Sequence, residues 1–251
     1  NGTFHMNDAA DSMVYTNGDE IVTINGGTFI LDAVASQTNG FPVIFSTQGN
    51  NERQIVVNAG TFNYDINHQI RPFEPYVAPE KAVKKVGDMW TIVPAEAYVT
   101  EMLGGWVNEA GEYAHNVGYA TVAEAIAATN ELGNTVTILA GEYTGNLNVN
   151  KGITVQGAVD AEGNNLVTFN GKLNITADGA NVKNININNP AGNAAYVGAK
   201  DVVVDGCQVI GNNGFRSCTP AGAAHRGSSR SCGTGGAKRQ RRRCGWSWER
   251  R

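Results

Sequence analysis

A three-residue phrase returns along this chain together with its surroundings, and that recurrence limits the fold more than any other feature. Gly2-Thr3-Phe4 recurs as Gly27-Thr28-Phe29 and again as Gly60-Thr61-Phe62. Around the last two copies the match widens, so that residues 21–32 resemble residues 55–65. Each copy is a β-branched run, a turn of small residues and an aromatic strand start. Thr and Phe suit strands, and the Gly permits a corner of positive φ. Both steps fall within the periods of roughly 20 to 50 residues that mark repeat architectures, in which each unit buries its apolar face against the next.

A second repeat occupies the later half. Val182-Lys183-Asn184-Ile185-Asn186-Ile187 aligns with Val204-Asp205-Gly206-Cys207-Gln208-Val209 at an offset of 22. Upstream lie the short runs at 152–157, 166–169 and 172–176, separated by Gly, Asn and Asp. Inward Val and Ile alternate with outward Asn, Lys and Gln, which gives each strand one buried face. Asn is abundant, with 29 before position 216, and its recurrence at the turns of stacked repeats predicts amide ladders there. One helix is readable at 121–129: Val122, Ala125 and Ile126 share a face, Thr121 is an N-cap, and Glu124 completes a capping box. Longer helices do not alternate with the strands, which argues against a βαβ sheet.

Charge separates the end of the chain from the rest. The net charge is −4. Residues 1–215 carry 9 Lys+Arg against 22 Asp+Glu, a net −13, and residues 216–251 carry 10 against one, a net +9. That last stretch contains no Val, Ile, Leu, Met, Phe or Tyr, so it builds no core and is expected to be disordered. The change is abrupt and falls inside a repeat, as in a coding sequence read in a shifted frame. The alternative is a genuine cationic arm, in which Lys238, Arg239, Arg241, Arg242 and Arg243 neutralise phosphates. A phosphate loop fails, because Gly236-Ala237-Lys238-Arg239 stands where Gly-Lys-Ser/Thr is needed. A zinc site fails as well: Cys207, Cys218, Cys232 and Cys244 are widely spaced and include no Cys-x-x-Cys pair. No apolar run approaches the roughly 18 residues of a membrane helix. The chain opens on Asn1 rather than Met and reads as a fragment, so a missing signal peptide says little about location.

The segment 120–128, followed by Gly133-Asn134-Thr135-Val136-Thr137-Ile138-Leu139-Ala140-Gly141-Glu142-Tyr143, resembles the start of a pectin-lyase-like right-handed parallel β-helix. Gly152-Ile153-Thr154-Val155-Gln156-Gly157 is similar to that family's next strand. The Gly-Gly-Thr-Phe phrase, with Gly87-Asp88-Met89-Trp90-Thr91-Ile92-Val93 after it, is similar to solenoid segments of large surface proteins of gut bacteria. The resemblance covers residues 19–215. It implies an all-β fold, a right-handed parallel β-helix (β-solenoid) with a short capping helix near 121–129. Residues 1–93 are then the end of one solenoid and 94–118 a connector with a short hairpin at 106–113. Residues 119–215 start a second β-helix, and 216–251 are the basic tail. Pro72, Pro75 and Pro79 mark the loop leaving the first solenoid.

The superfamily hosts enzymes, adhesins and phage fibres, so fold does not fix activity. Its lyases carry a calcium-binding Asp cluster and a catalytic Arg or Lys. Asp201 and Asp205 stand four apart and, within one strand, would share a face, with Asp178 or Asp160 on a neighbouring turn. Calcium takes such carboxylates, but a pair of solvated strand-end aspartates is the plainer account. No Arg lies between Arg71 and Arg216, and Lys183 and Lys200 read as solvated. The hydrolases' Gly-His-Gly and Asp-Asp are missing. Cys207 aligns with Ile185 and reads as a small core residue. Trp90, Trp106, Tyr143 and Tyr196 are the aromatics available for stacking on sugars, although Trp90 reads more readily as strand core.

These observations favour a non-catalytic structural or adhesive module of a secreted, cell-surface bacterial protein, offering an elongated face to glycans or host and cell-surface proteins. No cofactor is needed, calcium excepted. The alternative is a fragment of a polysaccharide lyase or glycoside hydrolase whose catalytic turns lie elsewhere. A nucleic-acid role rests on the tail alone.

Overall fold

The computed structural model describes residues 2–6, 12–17, 21–32, 43–48, 55–66, 76–102, 114–129, 135–211 and 215–217. The basic tail, apart from Arg216 and Ser217, lies outside them, as does the hairpin expected at 106–113. The chain is mostly β-strand, with parallel sheets and one short helix among the described residues. None of the described helices is long and apolar enough to cross a membrane. Two compact units divide at Leu139 and Ala140.

In the first unit the repeated phrase becomes sheet register. Strands β1 (Thr3–Met6), β3 (Val22–Leu31) and β5 (Ile55–Phe62) are parallel neighbours, with β2 (Ser12–Asn17) and β4 (Val43–Gln48) pairing in parallel between them in sequence. Thr3 lies opposite Thr28 and Phe4 opposite Phe29; Thr28 then lies opposite Thr61 and Phe29 opposite Phe62. The three rings stack, Phe4 on Phe29 at 5.1 Å and Phe29 on Phe62 at 5.2 Å between centroids. Phe45 of β4 meets the stack edge-on at 5.7 and 5.8 Å. Leu31, Ile55, Val57 and Ile66 are further members of this core. Gly60 makes the corner before Phe62, with φ +153, and a Cβ there would lie 2.7 Å from the Phe62 ring. Asn63 ties the neighbouring strand: its Oδ1 accepts from Leu31 N at 2.8 Å and its Nδ2 donates to Leu31 O at 2.9 Å.

An antiparallel hairpin, β6 (Lys81–Val86) and β7 (Met89–Pro94), ends this sheet by pairing β7 against β5. Its two-residue turn is Gly87-Asp88, with Gly87 at φ +63, the conformation that short hairpin loops require. Beyond it, β8 (Ala97–Met102) pairs antiparallel with both β9 (Ala114–Tyr119) and β10 (Thr135–Ile138). The helix α1 (Val122–Ala128) packs on these three strands and buries Val122, Ala125 and Ile126. Both arms of its capping box are present, Glu124 N to Thr121 Oγ1 and Thr121 N to Glu124 Oε2, each at 3.1 Å. Glu96 adds a further carboxylate bond, from Val122 N at 3.0 Å.

The strands of the second unit are dealt in sequence order among three sheets and pair with one another in parallel. In order come β11 (Gly141–Thr144), β12 (Leu147–Val149) and β13 (Thr154–Gly157), then β14 (Val167–Asn170), β15 (Leu173–Ile175) and β16 (Asn181–Lys183). There follow β17 (Asn186–Asn189), β18 (Ala195–Val197) and β19 (Val203–Asp205), and finally β20 (Gln208–Gly211) and β21 (Phe215–Ser217). Every third strand pairs in parallel with the one before it. The offset read from sequence is the register itself: Val182 lies opposite Val204 and Ile187 opposite Val209. Inward rows such as Leu147, Leu173 and Ala195, or Val149, Ile175 and Val197, are buried. Outward amides are linked, Asn174 Nδ2 to Asn148 Oδ1 at 2.8 Å and Asn188 Nδ2 to Asn170 Oδ1 at 3.2 Å. These amide ladders therefore run on strand faces, whereas the sequence placed them at the turns.

The corners repeat as well. Gly179 (φ +74) and Asp201 (φ +55) occupy equivalent left-handed positions of successive repeats, and Asn184 (φ +57) and Gly206 (φ +61) occupy another such pair. Gly, Asn and Asp are the residues that tolerate this region at least cost. At Gly171 the reason for glycine is proximity, because a Cβ there would collide with the carbonyl oxygen of Gly145.

Candidate functional site

The four aromatic candidates separate by direction. Tyr143 lies opposite Phe169, which lies opposite Ile187, and both of the latter are buried. It therefore continues an inward row, stacked on Phe169 at 5.0 Å. Trp90 lies opposite Phe62 and packs against the first unit's core. The ammonium of Lys85 sits 5.9 Å from its ring. Trp90 also lines a shallow groove of about 530 Å³ with Tyr119 and Glu124, whose carboxylate is engaged in the capping box. Trp106 lies outside the described residues.

Tyr196 differs. It is the outward residue of β18, between buried Ala195 and Val197. Register places it in one row with Asn148 and Asn174. The Lys172 ammonium stands 5.2 Å from its ring centroid, a cation–π arrangement. Gly198 lets the ring lie low along the strand, since a Cβ there would fall 2.7 Å from the Tyr196 hydroxyl. Backbone bonds fix the row: Lys172 N donates to Asn146 Oδ1 at 2.9 Å, and Gly198 N to Ile175 O at 2.9 Å. The face thus offers two linked amides, an aromatic ring and an ammonium. Amides exchange hydrogen bonds with hydroxyls, the ring takes apolar C–H faces, and the ammonium attracts carboxylate or sulfate. The sequence pointed to Tyr196 as a stacking aromatic but did not join it to Asn148, Lys172 or Asn174. Strand alternation combined with the repeat offset was the signal that could have joined them.

The aspartates are spread along the turns. Asp201 precedes β19 in a left-handed corner, so the same-face rule for residues of one strand does not connect it to Asp205. The register neighbour of Asp205 is Lys183, not another carboxylate. Asp178 Oδ1 accepts from Lys200 N at 2.7 Å, which ties one repeat to the next. Among the described residues, no three His, Cys, Asp or Glu side chains gather where they could hold a metal.

Asp160 organises its own loop. It accepts from Asn164 N at 2.7 Å, Asn164 Nδ2 at 2.8 Å and Glu162 N at 3.1 Å. The Asn164 side-chain bond, followed by the backbone bonds, holds its carboxyl below the ordinary 3.8. Because the folded value is depressed, the charged form supports the loop at neutral pH, and this support is lost as pH falls through the depressed value. Asn164→Ala is expected to return the Asp160 titration towards 3.8, as followed by carboxyl-carbon NMR; an unmoved midpoint would remove the Asn164 side chain as the main cause.

Cys207 is half-buried, and its thiol is 3.7 Å from the carbonyl oxygen of Val182. Burial, reinforced by the Asp205 charge, pushes it up to about 11. A thiol held so far from its thiolate is a poor nucleophile at neutral pH. The residues of the cationic arm, Lys238, Arg239, Arg241, Arg242 and Arg243, lie outside the described residues.

No family model, curated protein or solved structure matches the chain.

Proposed function

We propose that the chain is a segment of a right-handed parallel β-helix that serves as a structural and adhesive module of a secreted bacterial surface protein. The observation that carries this reading is the parallel pairing of every third strand of the second unit, with inward and outward rows kept in register. Such stacking spaces equivalent positions about 4.8 Å apart. It turns a short repeat into an extended surface suited to a polymer or a neighbouring protein. The resemblance of residues 119–215 to pectin-lyase-like helices supports the same reading.

The row formed by Asn148, Asn174 and Tyr196, with Lys172 beside it, is the surface assigned to the ligand. Its groups hold a ligand rather than break its bonds. An acidic polysaccharide fits best, because it offers hydroxyls to the amides, C–H faces to the ring and carboxylates to the ammonium. Calcium and a nucleic acid have no part in this reading.

The test is binding to a panel of immobilised neutral and acidic polysaccharides. Saturable retention on an acidic polymer is expected, weakened about tenfold by Tyr196→Ala, the loss of one aromatic contact with its cation. No retention on any polymer, or equal retention by Tyr196→Ala, would reject the assignment. New chain ends appearing in the polymer would replace it with the lyase or hydrolase alternative.

A further inference from the structure

Asparagine followed by glycine is chemically self-reactive. The nitrogen of the glycine can attack the side-chain amide before it, because glycine has no Cβ to obstruct the ring that forms. Six Asn-Gly pairs stand in the chain, and the structure describes both residues of two, Asn25-Gly26 and Asn170-Gly171. The two glycines are held differently. Gly26 lies inside β3. Gly171 follows Asn170, the last residue of β14.

The backbone around Gly171 is pinned by its neighbours. Gly145 N donates to Asn170 O at 3.2 Å, and Lys172 N donates to Asn146 Oδ1 at 2.9 Å. Between them, no group among the described residues accepts from the Gly171 N–H. The glycine itself is imposed by the fold, because a Cβ at this position would collide with the carbonyl oxygen of Gly145. Asn170 is exposed, and its Oδ1 accepts from Asn188 Nδ2 at 3.2 Å. That oxygen gathers negative charge when a nucleophile adds to Cγ, and a donor already aimed at it lowers the barrier.

The geometry points to Asn170-Gly171 as a site of self-modification, at which the folded chain converts the Asn170 amide into a carboxylate with Asn188 as the activating donor. The Gly171 nitrogen bonds to Cγ of Asn170. The bond from Cγ to Nδ2 breaks, and ammonia leaves with the proton that the Gly171 nitrogen gives up. The product is a cyclic succinimide. Water then opens the ring, at Cγ to give aspartate or at the backbone carbonyl to give isoaspartate, and no oxidant or reductant takes part. Thr144 lies opposite Asn170 in register, and Ile210 opposite Asn188. The conversion therefore places a negative charge among four neighbours that have none. The inference does not depend on the polysaccharide reading.

The test keeps the folded full chain in mildly alkaline buffer and follows the proteolytic peptide containing positions 166–175 by mass spectrometry, with isoaspartate read by enzymatic methyl transfer. A free peptide of the same sequence is the clock. Conversion at Asn170 is expected within the time that the free peptide needs, with part of the product as isoaspartate. Asn170→Gln, whose longer side chain cannot close the same ring, is expected to stay unchanged. Asn188→Ala is expected to slow the conversion about tenfold, the loss of one hydrogen bond in the transition state, while thermal unfolding stays near that of the parent. An amide retained at position 170 of the folded chain while the free peptide converts overturns the inference. Conversion as fast in Asn188→Ala as in the parent, or faster, overturns the activating role of Asn188.

Discussion

Phe29→Ala is expected to destabilise the first unit by about 3–5 kcal/mol, the range for truncating a large buried aromatic. The same change at Phe4 is expected to cost under about 1 kcal/mol, the range of surface contacts. The two residues occupy the same position of the same repeat and lie opposite each other. They differ in surroundings alone. Phe29 touches Phe4, Phe62 and Phe45, and its removal leaves a cavity that stacked backbones cannot easily collapse into. Denaturant unfolding of both variants, compared at constant slope, checks the contrast. Equal costs would mean that the stack does not hold the unit together.

The second large effect belongs to the other unit. Leu173→Ala is expected to cost about 2–5 kcal/mol, and Asn174→Ala, its immediate neighbour, under about 1 kcal/mol. Leu173 is fully buried in a row with Leu147 and Ala195, while Asn174 donates outward to Asn148. Because a one-residue slip in a strand reverses every side chain, the pair of measurements is a direct reading of register. A reversed order of costs would invalidate the strand assignment of β15 and the face that carries Tyr196.

Much of this was legible because repetition is a statement about register. The Gly-Thr-Phe copies align Phe4, Phe29 and Phe62 as written, and the second repeat aligns Val182 with Val204. Helix α1 was legible through Thr121 and Glu124, a local hydrogen-bonded box needing no tertiary information. The connector was less so. The hairpin expected at 106–113 lies outside the described residues, and the strands that flank it, β8 and β9, pair antiparallel without having been read from the sequence. In β8 the buried residues are Ala97 and Val99, and a small Ala weakens the alternation that would have announced a strand. The β6–β7 hairpin was hidden for a related reason: its turn is Gly-Asp rather than the stronger Asn-Gly or Asp-Gly signal. The candidate site was half legible. Tyr196 was visible as an aromatic, but Asn148, Lys172 and Asn174 belong to earlier turns and meet it only through stacking.

Steps between equivalent positions are unequal: Leu147 is followed by Leu173 and then by Ala195, so the second step is shorter than the first. The strands stay aligned because surplus residues leave the stack at the bends. The Asp160 loop, pinned by its own carboxylate, is one such outlet. Heritable length change in a chain built this way is tolerated in the loops and forbidden in the strands. Loops of different length can therefore be exchanged at the bends while the interior rows keep their places, so sequence length and strand register are independent quantities in such a chain.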